Sequence, residues 1–209
     1  MNGDVTVVVP TIPTRPRLLD RALTSVWAQE RPPDAVIVEP DDDGTGAAAT
    51  RNRALARVTT EWVAWLDDDD ELRPRHLALL LGEAEVSGAD LVYPWFDVVN
   101  GTDPLAVTVG GVLRSPMGVP FLAEQAEHLR HRGNFIPVTT LVRTETARAA
   151  GGFPTPGSEE WPHTECEDWG FLIRLLDAGA RFSHLPERTW LWHHHAANTS
   201  GRADRWRNS

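Results

Sequence analysis

The chain has 209 residues, with 20 basic and 30 acidic side chains, a formal net charge of −10, one cysteine and no lysine at all. That length and a hydrophobic content of 41% support one folded domain with a substantial core. Absent lysine excludes Schiff-base chemistry and a Gly-Lys-Ser/Thr phosphate loop, lone Cys166 excludes an internal disulfide or zinc ribbon, and the acidic balance argues against nucleic-acid binding.

Val5–Val9 is a β-branched run closed by Pro10 and reads as a buried strand. Thr14 is placed to cap a helix with Pro16 in its first turn, and Leu18, Leu19, Ala22, Leu23, Val26 and Trp27 follow at helical spacing. Ala35–Val38 is a second apolar run. Asp41–Gly46 has turn chemistry and leads into an Ala-rich helix through Ala56. Glu61–Leu66 is a third strand, with Asp67–Asp70 at its carboxyl end. This alternation predicts a parallel sheet with helices on both faces and a ligand site beyond the carboxyl ends of its strands.

Pro74–Glu85 is amphipathic and helical. Leu91–Val99 and Leu105–Val109 flank Asn100-Gly101, a hairpin signal with a loop longer than two residues. Phe121–His131 reads as helix, Phe135–Val142 as extended, and Glu145–Ala150 as a short helix stopped by Gly151-Gly152. Glu167–Ala178 is a helix with Gly179 past its end, followed by short strands at Ala180–His184 and Thr189–His194. The second half thus extends the same α/β domain with a mixed sheet. No stretch approaches the roughly 18 apolar residues of a membrane span, so the expectation is a soluble, cytoplasmic protein.

Four consecutive carboxylates are costly when left alone, since two unit charges about 5 Å apart repel by roughly 3 kcal/mol at an effective dielectric near 20. Hard cations such as Mg2+ or Mn2+ relieve that cost through carboxylate oxygens. In an extended segment Asp67 and Asp69 point to one side, and Asp68 and Asp70 to the other. The alternative is a solvated acidic turn.

Val7–Arg15, Val36–Val38, Ala49–Asn52 and Trp65–Asp70 resemble, in order and spacing, the nucleotide-sugar half of family 2 glycosyltransferases. The resemblance implies a single GT-A-type domain over residues 1–209, with a Rossmann-like mixed β-sheet flanked by helices. Residues from about 1 to 100 would form the donor half and those from about 101 to 200 the acceptor half. It implies Mn2+ or Mg2+ held by Asp69, with Asp67 at the metal or ribose and Asp68 also among the donor-binding residues. Pro10, Thr11 and Arg15 would lie along the nucleotide, and Arg51 at the base or diphosphate. Here the family's apolar-Asp-Asp-Gly-Ser run is replaced by Glu39–Gly44, so either Glu39 or Asp41 takes the base-binding place.

Gly151–Phe153, Glu165–Gly170 and Arg174 resemble the acceptor half of the same family. By that likeness Asp168 is the general base and Glu167 orients it, binds acceptor or completes the metal environment. Acids at a helix start are also favoured by the dipole alone. Trp169 and Trp161 suit either sugar stacking or packing. His193–His195, running on to Asn198-Thr-Ser200, resembles the family's C-terminal loop, which makes His195, then His193, a ligand for metal or diphosphate. The implied activity is metal-dependent, inverting, non-processive transfer from a nucleotide-diphosphate sugar, with UDP favoured, to an unidentified acceptor hydroxyl. Two competitors are a sugar-phosphate nucleotidyltransferase, disfavoured because Pro10–Arg15 lacks glycine, and a non-catalytic nucleotide-sugar or glycan-binding module.

Overall fold

The structure, a computed structural model, describes residues 3–101, 108–109, 112–113, 121–155 and 166–194. Strand β1 (Val5–Thr11), helix α1 (Pro16–Trp27), β2 (Ala35–Pro40), α2 (Ala47–Arg57) and β3 (Trp62–Trp65) realise the alternation in the sequence. β1 lies between β2 and β3 and pairs with both in parallel, so that Val7 stands opposite Val36 and Ala64. Its valines are apolar in succession because both sheet faces are covered. Val5, Val7 and Val9 enter one core layer with Ala22 and Val26 of α1, and Val8 enters the other with Ala54 and Leu55 of α2.

β4 (Glu71–Leu72), α3 (His76–Ser87), β5 (Leu91–Val99), α4 (Ala123–His131), β8 (Leu141–Arg143), α5 (Thr144–Ala149), α6 (Glu167–Asp177) and β9 (Phe182–His193) follow, with β6 (Thr108–Val109) and β7 (Val112–Leu113) between β5 and α4. One seven-stranded sheet runs β2-β1-β3-β8-β5-β9-β4. β8 is antiparallel to both of its neighbours, and β4 is antiparallel to β9, which makes the sheet mixed as expected. No described helix is long and apolar enough to cross a membrane.

Four local expectations are corrected. α1 begins at Pro16, but its cap residue is Arg15 without a side-chain cap bond, and Thr14 does not fill that role. Only the last part of Phe135–Val142 forms a strand. The Asn100-Gly101 turn does not join a hairpin: β5 already pairs with β8 and β9, and Thr108–Val109 pairs instead with Val112–Leu113. The remainder of Leu105–Val109 lies outside the described residues. The two short C-terminal strands are one strand, β9. Its pairing with β5 jumps from Pro94–Leu185 to Trp95–Arg188, a bulge that removes Pro186, which has no N–H to give, from the ladder.

Candidate active site

The order β2-β1-β3 reverses direction at β1, and the carboxyl ends of these strands carry Thr11, Asp41 and the Asp67–Asp70 segment. After β3 the chain does not stay extended. The Asp70 N–H donates to the Asp67 carbonyl at 3.1 Å, closing a turn. This turn brings carboxylate oxygens of Asp67, Asp69 and Asp70 within 4.8 Å of one another. Asp68 departs from them, accepting from the Thr11 hydroxyl at 2.7 Å and the Arg15 guanidinium at 3.0 Å. Asp70 therefore joins Asp67 and Asp69 rather than siding with Asp68.

Arg15 also reaches Asp69 Oδ2 at 3.1 Å, and Arg21 donates to the Asp69 carbonyl at 2.6 Å. Asp70 is buried; desolvation, then the charges of Asp67 and Asp69, hold its carboxyl well above the usual range against the His193 backbone N–H and Arg21. A cluster of hard oxygen donors whose negative charge the protein only partly offsets fits a divalent cation such as Mg2+ or Mn2+.

The two candidates for base recognition are both engaged by the protein. Glu39 is buried and accepts from Arg53 Nε at 2.9 Å and Arg57 Nη1 at 2.6 Å, both on α2. Asp41 shapes the loop before α2 by accepting from the backbone N–H groups of Thr45 (2.7 Å) and Gly46 (2.8 Å) and from the Thr45 hydroxyl. Desolvation opposes these bonds, but together with Arg53 they hold the Asp41 carboxyl below its ordinary value. Pro10, the last residue but one of β1, stands opposite Glu39.

Arg51 projects from α2 into the interior, where it is only 4% exposed. Its Nη2 donates to Asp67 at 2.6 Å and its Nη1 to Glu167 at 2.6 Å. Despite burial these two carboxylates keep its pKa above the ordinary arginine value. The guanidinium lies 5.4 Å from the centre of the Phe153 ring. Phe153 stacks on Phe171 of α6 and meets Trp65 of β3 edge-on, which fixes the start of α6 under the acidic turn. The preceding Gly152 has φ +65°, and a Cβ there would stand 2.5 Å from Asn52 Oδ1. That contact is close because Asn52 exchanges two hydrogen bonds with the Phe153 backbone.

Asp168 sits in the first turn of α6. Its Oδ1 accepts from the Trp169 N–H at 2.7 Å and its Oδ2 from Asn134 Nδ2 at 3.2 Å. The residue is partly exposed, yet protein crowds its carboxyl closely enough that desolvation, and then Glu167, push its pKa up to about 6. Arg51 and the Trp169 N–H pull it down, and Asp67 acts upward.

His193 approaches the cluster through its backbone, donating to Asp70 at 2.9 Å, while its ring Nε2 lies 2.7 Å from Glu71 Oε1. Trp169 packs against the core and donates from its indole to the Leu129 carbonyl. His195, Glu165, Trp161 and Asn198–Ser200 lie outside the described residues. Asn134 and the part played by Asp70 were not legible beforehand; Asp70 at least lay in the acidic run, whereas nothing in the pattern marks Asn134.

A mixed sheet with an acidic turn at its switch point and a second carboxylate pair behind it defines a GT-A-type fold. Residues 1–349 of S. aureus TarS, solved in complex with UDP-GlcNAc, share it with a TM-score of 0.70 over 93% of this chain and 60% of that one, at 18% identity. The same fragment in complex with UDP gives 0.68 at 18% identity, over 91% of this chain and 60% of that one. The chain belongs to glycosyl transferase family 2, whose profile matches residues 36–146. A pre-mycofactocin glycosyltransferase of Mycobacterium tuberculosis (strain CDC 1551 / Oshkosh) is 34% identical over 144 residues, 68% of this chain. The chain spans only 28% of that relative's length.

Proposed function

We propose that the chain transfers a sugar from a nucleotide-diphosphate sugar to an acceptor hydroxyl, with inversion and with Asp168 as the general base. The observation that carries this reading is the Arg51 bridge. One buried guanidinium joins Asp67 in the acidic turn to Glu167, the neighbour of Asp168, so the metal-type cluster and the candidate base form one site. The name of the mycobacterial relative and the UDP-GlcNAc complex of TarS support the substrate class, with a UDP-sugar favoured.

Asp67, Asp69 and Asp70 would hold Mn2+ or Mg2+, with His195 or His193 as a further candidate ligand by the family resemblance alone, the His193 ring being paired here with Glu71. Such an ion supplies Lewis-acid stabilisation of the departing diphosphate. The protein's own residues do the rest. Asp168 takes the proton of the acceptor hydroxyl while the acceptor oxygen bonds to the anomeric carbon. The bond from that carbon to the diphosphate oxygen breaks, and the nucleoside diphosphate leaves with the electron pair. A base on the face opposite the leaving group gives inversion. With a pKa near 6, Asp168 is about nine-tenths ionised at pH 7. Arg15, with Thr11, steadies Asp68, and Arg15 is also a cationic group beside the place the diphosphate would occupy.

The test is hydrolysis of a panel of UDP-sugars by the purified protein with Mn2+, water replacing the acceptor. Turnover lost both with EDTA and in Asp69→Ala is the expected result. Full activity in EDTA would overturn the metal-dependent reading, and donor binding without turnover, even with acceptors supplied, would favour a binding module.

A further inference from the structure

The geometry points to Asn134 as a positioning residue for Asp168: its side-chain amide holds the carboxylate of the base in its working orientation. This inference rests on the reading of Asp168 as the base. Asn134 lies in the segment between α4 and β8, remote in sequence from α6.

Its amide orientation is fixed by the fold. The Ile136 backbone N–H donates to Asn134 Oδ1 at 2.9 Å, so the other terminus, the NH2 group, is the one directed at Asp168 Oδ2, 3.2 Å away. Ile136 and Phe135 are themselves fully buried, which anchors the segment that carries the amide. Asp168 is therefore gripped at both oxygens by neutral donors, the Trp169 N–H on Oδ1 and Asn134 on Oδ2. The charged groups around it come from three elements: Glu167 on α6 itself, Arg51 on α2, and Asp67 after β3. None of these is hydrogen-bonded to the Asp168 carboxylate among the described residues. Asn134 is thus the side chain that sets which way the carboxylate faces.

Asn134→Asp separates this role from a structural one. The new carboxylate can still accept from Ile136, but it offers Asp168 an acceptor in place of a donor. For UDP-sugar hydrolysis at pH 7, kcat should fall about tenfold or more with donor KM held within about twofold, and the acid limb of the kcat profile should move up by about one pH unit. If that variant does not fold, Asn134→Ser serves: its hydroxyl keeps an acceptor near Ile136 and is too short to reach Asp168. An unchanged kcat and pH profile in a folded variant would overturn the role of Asn134. A kcat loss shared equally by KM, with the acid limb in place, would reduce Asn134 to a packing residue and overturn it too. Asp168→Asn, assayed alongside, tests the underlying reading: if that variant keeps full turnover, the base assignment fails whatever Asn134 does.

Discussion

After β3, four carboxylates share one turn: Arg15 bonds Asp68 and Asp69, Arg51 bonds Asp67, and Arg21 adds its charge near Asp70. At the start of α6, Asp168 receives two neutral N–H donors and no guanidinium bond among the described residues. Carboxylates gathered this closely suit the capture of a cation, and their mutual repulsion with burial lifts Asp70 well above the usual range. At Asp168, burial and then the Glu167 charge outweigh the Arg51 charge and the Trp169 N–H, so a lone carboxylate there takes protons up to about pH 6. Two sets of the same functional group are thus assigned different chemistry by what surrounds them.

The strongest way to break this contrast is Asp168→Asn, which keeps the shape and removes the proton acceptor. Turnover should fall by about 10²- to 10⁴-fold with little change in donor affinity, read from kcat and from calorimetric titration with UDP. A variant that loses UDP affinity instead would place Asp168 on the donor side. Arg51→Met removes the bridge between the two sets and leaves Asp67 and Glu167 without their partner. The carboxylates left behind are partly exposed and can be solvated, so a loss of about 1–3 kcal/mol in unfolding free energy is expected, measured by urea denaturation.

Acidity probes the contrast more gently. The base works only when ionised, so turnover should decline as pH falls through about 6 and drop about tenfold for each further unit. A stopped assay from pH 5 to 8 checks it, and a flat profile across that range would separate Asp168 from the rate. Gly152→Ala should cost about 1–3 kcal/mol, because an L side chain is strained at φ +65° and its Cβ meets Asn52. Thermal melts would show that loss, together with slackened packing of Phe153 under α6. By contrast Trp27→Ser, on an exposed part of α1 away from both carboxylate sets, should change stability by no more than about 0.5 kcal/mol.

What could be read from the chain follows the same division. The first three strands and two helices were legible because hydrophobic period, turn residues and burial on both faces agree at each step. The placement of Asp67–Asp70 at a strand end was equally plain, yet the turn that swings Asp70 inward depends on tertiary contacts with Arg21 and the His193 backbone. Beyond Asn100 the helices α4, α5 and α6 follow their local signals, but two strand signals mislead. A good turn dipeptide predicts a hairpin, but β5 has both edges taken by strands supplied much later in the chain. Pro186 looks like a strand breaker and is accommodated as a bulge. Arg51 was placed at the donor by resemblance; its burial between Asp67 and Glu167, far apart in the chain, has no local signature.

The insertion of β8 between β3 and β5 has a kinetic side. β3 finds its first neighbour, β1, early in the chain, but its other edge is closed only when Leu141–Arg143 arrives. Until then Trp62, Val63, Ala64 and Trp65 form an apolar strand with one open edge, a template for pairing with other chains. Non-local closure of this kind slows folding. A nascent or truncated chain ending near residue 100 should accordingly be prone to self-association, and the late-synthesised β8 protects the centre of the sheet as well as completing it.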